Sequence, residues 1–396
     1  MTAAPHNDWD PRADTVLADQ IAAYDDLRQR CPVAHSDYLS WSVFKHDDVT
    51  RVLHDHQSFS NAVSKHLSVP NGMDQPQHTQ YRRLIDPYFS DQRVAAFEPA
   101  CRGIAVDLLT ALAKQDEHDL MARFAHDFAL RVQSDFLGWP HSLHEPLRQW
   151  IRNNHQATLA GDKAAMSRLA FEFDAYIHAL LTARRAAGSA APDDITTSLL
   201  RTKIGERLLA DDEIVSILRN WTVGELSTIS GCVGILAHYL AAHPQLQQRL
   251  REQVSLLPGA IDEILRIHAP LIASRRITTR QVTIGERTLA AGQRISLIWA
   301  SANRTEAVFG NPDVFRLDRD PAHNLLYGAG IHVCPGAGLA RMELRIVMEE
   351  LLGRTVHIVL AAGTKPRKAA YPASGFCTLP LSIQWLPSTA PVTPAR

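Results

Sequence analysis

The cysteine at position 334 has the surroundings that point most clearly to chemistry. It lies in the loop Leu325-Leu-Tyr-Gly-Ala-Gly-Ile-His-Val-Cys-Pro-Gly-Ala-Gly-Leu-Ala-Arg341, which has glycines at 328, 330, 336 and 338. Glycine lets the backbone approach the sulfur closely. The loop opens a helix that runs on through residues 341–352, so loop amides and the helix N-terminus can stabilise a thiolate. The pattern predicts a cysteine that is used as a thiolate.

Other interpretations of the cysteines and histidines fit less well. A phosphate-binding loop would need a third glycine after Gly328-x-Gly330 and then a lysine, and both are missing. A buried structural cysteine would not need four flanking glycines. The chain has five cysteines, an odd number, and no Cys-x-x-Cys, which excludes a zinc ribbon and a disulfide framework. His54-Asp-His56 could be a metal pair, but without a third ligand nearby a polar turn is the better interpretation.

A long helix is predicted over residues 214–240, because acidic residues precede this periodic stretch and a proline follows it. In its middle, Gly224, Thr228 and Gly231 are spaced by four and three residues and share one face, with Glu225 at the edge of that face. Two glycines lower the stability of a helix. Either a flat or bulky group lies against this stripe, or another helix packs closely on it, and the spacing allows both.

Composition limits the class of protein. The chain has 396 residues with 41 Lys and Arg against 42 Asp and Glu, so its net charge is −1. No basic excess is present to hold a nucleic acid or an anionic membrane surface. The 45% hydrophobic and 21% charged residues are typical of a globular protein. No run approaches the roughly 18 apolar residues of a membrane span, and the polar N-terminus is unlike a signal peptide. We expect a soluble, cytoplasmic protein.

The periodicity predicts a mostly α-helical α+β protein with small sheets near its two ends. Helical patterns dominate from about Asp91 to Ile267, as in the stretch Ala164 to Ala186. The predicted strands are short, and they cover residues 39–44, 282–284, 294–299 and 381–385. No linker divides the chain, so residues 1–386 are predicted to form one domain. Residues 387–396 form a proline-rich tail that could be a linker remnant.

The cysteine loop strongly resembles the heme-binding loop of the cytochrome P450 superfamily, Phe-Gly-x-Gly-x-His/Arg-x-Cys-x-Gly, with Tyr327 in place of the phenylalanine. Other marks of the family follow in order along nearly the whole chain. Glu263-Ile-Leu-Arg266 resembles its Glu-x-x-Arg motif, and Asn311 to Arg319 resembles its meander. His78-Thr-Gln-Tyr-Arg82 resembles the helix that holds a heme propionate.

The resemblance implies the P450 fold, a triangular, helix-rich prism with heme b between the long central helix and the cysteine loop. Cys334 would be the axial thiolate, which pushes electron density to the iron and favours O–O cleavage. Buried ion pairs among Glu263, Arg266 and Arg319 would have a structural role. The remaining cofactor-binding residues would be Tyr327 and Gly328 in the loop, and His78, Arg82, Arg276 and His332 at the propionates.

The distal face departs from the family pattern. Counting back from Pro244, Thr228 falls on the family's threonine, but Ser227 stands where an acid is usual. Glu225, one turn before Thr228, could supply the proton by a helical shift or through water. Alternatively, Glu225 is only a salt-bridged helix residue. The catalytic candidates are therefore Thr228, Glu225 and Ser227.

The same alignment places mostly apolar residues around the distal cavity: Val223, Gly224, Ile272, Ala273 and Phe376. They imply a small to medium hydrophobic or aromatic substrate that is hydroxylated or O-dealkylated. A peroxide-driven peroxygenase is the alternative activity. A non-enzymatic heme sensor or carrier fits less well, because a thiolate ligand activates oxygen.

The implied electron donor is a ferredoxin or an FMN/2Fe-2S reductase. The run Asn220 to Thr228 is most similar to members whose heme domain is fused to such a reductase, as are Ser60 to Ser64 and Val69 to Met73. The chain is then either that heme domain alone or a stand-alone relative with separate partners. Electrons would enter at the Cys334 face, where Arg341 and Arg345 are either partner contacts or ordinary helix charges.

Overall fold

The structure is a computed structural model that describes residues 6–115, 118–369 and 374–387. The predicted helix-rich fold with short strands near both ends is confirmed. The α-helices of the described residues are α1 (Asp14–Ala18), α2 (Gln20–Arg30), α3 (His46–His54), α4 (Gln77–Ile85), α5 (Asp91–Leu112), α6 (His126–Leu137), α7 (His144–Ala160), α8 (Lys163–Ala187), α9 (Ile195–Arg201), α10 (Asp211–Ala242), α11 (Pro244–Glu252), α12 (Leu257–His268), α13 (Trp299–Ala302), α14 (Glu306–Phe309) and α15 (Ala337–Arg354).

The strands are short and form small sheets. They are β1 (Val33–Ser36), β2 (Ser40–Val43), β3 (Phe59–Ser60), β4 (His118–Asp119), β5 (Lys203–Ile204), β6 (Arg207–Leu208), β7 (Ala273–Thr278), β8 (Val282–Ile284), β9 (Arg287–Leu289), β10 (Arg294–Ile298), β11 (Thr355–Leu360), β12 (Arg367–Lys368), β13 (Phe376–Thr378) and β14 (Pro380–Trp385). The largest sheet has the order β1-β2-β10-β7-β3, and a second has the order β11-β14-β4. β10 pairs parallel with β2 and antiparallel with β7, which places residues 41–43, from the first part of the chain, in one sheet with residues 273–298.

The central helix α10 has 32 residues, which corresponds to about 48 Å. It begins at Asp211, three residues before the predicted start, so the acidic residues form its first turn; the Ala210 N–H donates to the Glu213 carboxylate at 2.7 Å. It ends at Ala242, because Pro244 starts α11. By length and composition α10 is the one helix of the described residues that could cross a membrane, but 67% of its apolar window is buried inside the protein. Burial of that kind is typical of a core helix.

The glycine stripe of α10 leaves space for a bulky group at one position and allows close packing of the chain at others, so each of the two predicted interpretations describes part of it. A Cβ added at Gly224 would meet nothing within 4 Å, so this part of the face is open. A Cβ at Gly231 would lie 3.5 Å from the Ser374 carbonyl oxygen, and one at Gly234 would lie 2.6 Å from the sulfur of Met121. The first half of the stripe therefore faces a cavity, whereas the second half packs against neighbouring chain.

The Glu-x-x-Arg motif lies in the interior at the end of α12. Arg266 donates to both carboxylate oxygens of Glu263, at 2.7 and 2.9 Å, and its other N–H groups donate to the carbonyls of Asn303 and Pro312. Arg319 donates to Glu263 at 2.9 Å from the meander. Glu263 is 6% and Arg266 is 1% exposed. This cluster ties α12 to the segment that leads to the cysteine loop.

Candidate functional site

A cavity of about 400 Å³ lies between α10 and the cysteine loop, at the place that the sequence predicted for a cofactor. The residues that line it lie between positions 53 and 344 of the chain. Its lining includes Leu53, Asn61, Asn71, Arg82, Phe89, Gln133, Asn220, Gly224, Glu225, Thr228, Cys232, Leu271, Ser274, Arg276, Trp299, Tyr327, Gly328, His332, Cys334 and Gly336.

The cysteine loop is folded so that Cys334 faces this cavity. The Cys334 N–H donates to the Tyr327 carbonyl at 2.9 Å, which closes the loop. Gly330 has φ of +69°, and a Cβ there would lie 2.3 Å from the Leu53 carbonyl oxygen. Only glycine fits that position. Cys334 lines the cavity three residues before α15 begins at Ala337.

The predicted stabilisation of the thiolate is only partly correct. The Gly336 N–H hydrogen-bonds to the sulfur and lowers the pKa of Cys334, but burial raises that pKa by more. The loop alone therefore leaves a protonated thiol in the folded protein. A coordinated metal ion removes such a proton, because its positive charge compensates the negative charge of the buried thiolate.

A second group of residues forms an anion-binding corner of the cavity. The rings of His78 and His332 have centroids 4.1 Å apart. Neither nitrogen of His78, nor Nε2 of His332, has a partner among the described residues, although all three atoms are buried. Burial lowers the pKa of His78 to about 4 and that of His332 to about 3, so both are neutral donors at pH 7.

The positive charge in this corner comes from two arginines. Arg276 is buried and bonds only to Ser274 and to the Arg275 carbonyl, with no carboxylate partner in the described chain. Burial lowers its pKa to about 10, which keeps it charged at neutral pH. Arg82 donates to the Val333 carbonyl at 2.7 Å and pairs with Asp86. A buried, unpaired guanidinium is costly unless an anion is bound.

These residues fit heme b. Two arginine charges and neutral histidine donors match the two propionates, and Cys334 faces the same cavity as the predicted axial ligand. The structure brings together all of the predicted cofactor residues, namely Cys334, His78, Arg82, Arg276, His332, Tyr327 and Gly328. Tyr327 has a buried hydroxyl with no partner in the described residues, and the Arg341 guanidinium lies 4.4 Å from its ring centre.

The hydroxyl groups of α10 differ in where they point. Thr222, Ser227 and Ser230 donate back to the carbonyls of residues 218, 223 and 226, as helical hydroxyls usually do. Within the described residues Thr228 has no such bond, and it lines the cavity. Ser227 does not line it. The geometry therefore offers the Thr228 hydroxyl, and not that of Ser227, to a molecule in the cavity.

Glu225 is not salt-bridged, contrary to one of the two predicted alternatives. Its carboxyl group lies next to that of Glu343 on α15, and Oε1 of Glu225 and both side-chain oxygens of Glu343 are buried without a hydrogen-bond partner among the described residues. No cation compensates a second negative charge there, so burial and mutual repulsion favour a proton on at least one of the two acids. Burial raises the pKa of Glu225 to about 7, and that of Glu343 well above its ordinary value. At neutral pH the pair holds at least one proton.

Four of the five predicted pocket residues do not line the cavity. Gly224 does, but Val223 lies beside it on the exposed side of α10. Ile272 is 1% exposed and packs, with Ala273, against the cluster around Trp9. The chain leaves α12 through Ala269, with φ of +39°. This bend turns Leu271 and Ser274 towards the cavity instead.

Phe376 is also absent from the cavity wall. Its ring packs on His238 with centroids 4.5 Å apart, beside Gly234 of α10. The glycines of α10 allow β13 to approach the helix closely, and the phenylalanine fills that contact. Its predicted role in the substrate pocket is therefore corrected to a packing role.

Several lining residues were not assigned to the cavity by sequence reasoning. Trp299 has a buried indole N–H without a partner in the described chain, and it lies at the end of β10. Asn61, Asn71 and Asn220 add amide groups to a cavity that was predicted to be mostly apolar. All three lie in runs that resemble the reductase-fused members, and Asn220 also lies one turn before Gly224 on the face that lines the cavity.

The remaining candidates are accounted for by contacts within the chain. Arg341 donates to Asp262 at 3.0 Å, and Arg345 pairs with Glu98 and Glu349. These partners match the alternative of ordinary helix charges. The Nδ1–H of His54 donates to the Thr50 carbonyl of its own helix at 2.8 Å, and the described residues contain no group of three or more potential metal ligands.

Comparisons with known proteins agree with this geometry. The cytochrome P450 family model matches residues 143–387. The chain is 30% identical over 344 residues to cyclomarin C epoxidase CymV of Salinispora arenicola, which covers 83% of this chain and 87% of the relative. It is 32% identical over 294 residues to steroid C26-monooxygenase of Mycolicibacterium smegmatis, covering 73% of this chain and 72% of that protein. The structure of CYP109E1 from Bacillus megaterium in complex with corticosterone has a TM-score of 0.82 at 27% identity, and covers 92% of this chain and 98% of that one.

Proposed function

Because this chain belongs to the cytochrome P450 family, and is therefore a heme-dependent monooxygenase, we propose that it oxidises a small to medium hydrophobic or aromatic compound by hydroxylation or O-dealkylation. Cys334 and Thr228 line the same cavity, and this placement carries the proposal. When bound, a thiolate-ligated heme activates O2 with electrons from a redox partner. The residues of the chain must then hold the group, admit the substrate and deliver protons.

Holding the cofactor falls to the cysteine loop and the anion-binding corner. Arg82 and Arg276 supply the two positive charges, and His78 and His332 add neutral N–H donors. Charge-assisted hydrogen bonds of this kind fix a planar dianion in one orientation. These residues would hold heme b in the cavity that Cys334, Gly224 and Thr228 also line.

Proton delivery is assigned to Thr228 and to the pair of Glu225 with Glu343. Ser227 has no ionisable proton and bonds to its own helix. Glu225 lines the cavity one turn before Thr228, and its raised pKa means that it is substantially protonated at pH 7. An acid with a pKa near the working pH is the best proton donor. Glu343 keeps a proton next to Glu225 and can restore the one that is delivered.

We expect Thr228→Ala and Glu225→Gln to uncouple NAD(P)H consumption from product formation, because both remove a group that guides protons to bound oxygen. Loss of a general acid costs about 10²–10⁴-fold in rate. Misdirected protons release hydrogen peroxide, so peroxide should rise as product falls. The measurement is the ratio of product to NAD(P)H consumed, with a surrogate reductase.

Ser227→Ala is the matched control, because Ser227 is the neighbouring hydroxyl that turns away from the cavity. It should couple nearly as well as the wild type. Turnover driven by added hydrogen peroxide should partly survive in Glu225→Gln, since peroxide brings its own protons. If Ser227→Ala uncouples and Glu225→Gln does not, the assignment of Glu225 is wrong.

The acid pair also predicts a pH dependence of stability. The folded-state pKa of Glu225 is raised from about 4.5 to about 7, so the folded protein binds more protons than the unfolded chain in that interval. Its contribution to stability is therefore complete below pH 4.5 and is lost as the pH rises through about 7. Glutamine cannot ionise, so the Glu225→Gln variant should gain stability relative to the wild type between pH 5 and 8.

The measurement is urea unfolding of both proteins at several pH values in this interval. The quantity to compare is the difference in the free energy of unfolding between the two proteins, because the buried histidines affect both proteins equally. A difference that stays constant with pH would show that Glu225 has an ordinary pKa, and would contradict the raised pKa on which its role as a proton donor rests.

The electron donor is proposed to be a ferredoxin or an FMN/2Fe-2S reductase, acting in the cytoplasm at the Cys334 face. The test compares substrate turnover with NAD(P)H plus a surrogate reductase against turnover with hydrogen peroxide alone. Efficient turnover only with the reductase supports the monooxygenase. Equal or better turnover with peroxide would instead assign the peroxygenase activity.

A further inference from the structure

We propose that the distal end of the cavity holds a hydrogen-bond acceptor, the side-chain oxygen of Asn220, that selects substrates bearing a neutral O–H or N–H group. The proposal rests on the proposed oxidation only in that it places the substrate in this cavity. It adds a polar requirement to a substrate that was otherwise described as hydrophobic.

The orientation of the Asn220 amide is fixed by its partners. Nδ2 donates to the hydroxyl of Ser68 and to the carbonyl of Val69, both at 3.1 Å. The flipped amide would place Oδ1 against the Val69 carbonyl, where two acceptors would repel each other. Both N–H groups are therefore used, and Oδ1 has no partner among the described residues. What Asn220 offers to the cavity is an acceptor alone.

The loop that Asn220 holds is itself anchored to the central helix. Ser216 accepts from the Val69 N–H at 2.8 Å and donates to the Leu67 carbonyl at 3.0 Å. Arg219 donates to the same carbonyl at 2.8 Å. These bonds keep the loop in place over the cavity, so the acceptor does not depend on a mobile side chain.

Two further amides lie on that loop and line the same cavity. Asn61 donates to the Asn71 carbonyl at 3.0 Å, and its own side-chain oxygen has no partner in the described residues. A buried acceptor that stays unpaired when a ligand excludes water is costly. A ligand that carries a donor at this end removes the cost, whereas an apolar ligand of the same shape leaves it.

The charges of the cavity decide which kind of donor fits. With heme bound, Arg82 and Arg276 would pair with its propionates, and Glu225 is the only acid among the described residues of the lining. An ammonium group would find no carboxylate free to pair with it, because Glu225 is already packed against Glu343. A neutral hydroxyl or amide N–H on a hydrophobic body is the class that satisfies Asn220.

The test measures the binding of matched hydrophobic pairs to the heme-loaded protein. The probes are n-decanol with its methyl ether, and para-hexylphenol with its methyl ether. Dissociation constants come from the low- to high-spin shift and, independently, from calorimetry. We expect each alcohol to bind about tenfold more tightly than its ether, since one unmade buried hydrogen bond accounts for a factor of that order.

Asn220→Leu should remove this preference, with the alcohol and the ether then binding within about twofold of each other. Ser216→Ala is the matched control, because it loosens the same loop without touching the cavity wall. It should keep the preference. If Ser216→Ala abolishes the preference as well, the effect comes from the loop and the proposal fails.

Equal binding of alcohol and ether by the wild type, or no binding of either alcohol, would also overturn the proposal. These outcomes are distinct from a failure of the proposed function. That failure would appear as loss of O2-dependent turnover with the reductase, whereas the calorimetric preference needs no turnover.

Discussion

Replacing Arg266 with alanine is expected to lower the free energy of unfolding by about 3–5 kcal/mol, the cost of breaking a buried ion pair. Arg266 is 1% exposed and is the bidentate partner of Glu263, and it also satisfies the carbonyls of Asn303 and Pro312. The alanine variant leaves these acceptors buried without donors. Arg319 still reaches Glu263, which favours the lower end of the range.

The loss should be seen in urea unfolding and in the ratio of heme to protein after purification. Arg316→Ala is the matched control on the neighbouring meander, because its side chain pairs with Asp318 at the surface. An exposed pair contributes about 0–1 kcal/mol. If Arg266→Ala is destabilised no more than Arg316→Ala, or loads heme normally, the cluster does not hold the fold together.

The parts of the site that depend on local pattern could be predicted from the sequence. The loop around Cys334 needs glycine for reasons that are visible in the chain itself, and Gly330 is held against the Leu53 carbonyl as such a loop requires. The long central helix and its boundaries follow from periodicity, acidic residues at the start and a proline at the end. The face formed by Gly224 and Thr228 follows from helical spacing.

The parts of the site that depend on packing between distant segments could not be predicted from the sequence. Ile272 and Leu271 are both apolar, and only the bend at Ala269 decides which of them faces the cavity. Phe376 is turned onto His238 by the close approach of β13 to α10. Glu225 and Glu343 are 118 positions apart in the sequence, and the contact between them joins α10 to α15. No spacing rule links such a pair.

Replacing Cys334 should have the largest effect on chemistry, because it is assigned as the only protein ligand to the iron. Serine is nearly isosteric but gives no thiolate, so the electronic push that favours O–O cleavage is lost. The arginines and histidines of the anion-binding corner remain in Cys334→Ser. We therefore expect this variant to retain some heme, with O2-dependent turnover falling below detection.

Cys232 is the matched control for this change. It is a cysteine of α10 that lines the same cavity, is 3% exposed and belongs to the hydrophobic core. Burial raises the pKa of its thiol, and no loop amide is directed at it from the glycine-rich segment. Cys232→Ser should cost some stability as a core substitution and should leave the ligand to the iron unchanged.

The most direct test of the account is the absorption spectrum of the reduced, carbon monoxide-bound protein in the wild type, Cys334→Ser and Cys232→Ser. We expect the thiolate-type Soret shift in the wild type and in Cys232→Ser, and its absence in Cys334→Ser. A wild-type protein that lacks this shift when loaded with heme would contradict the account. So would a Cys334→Ser variant that keeps the shift while Cys232→Ser loses it.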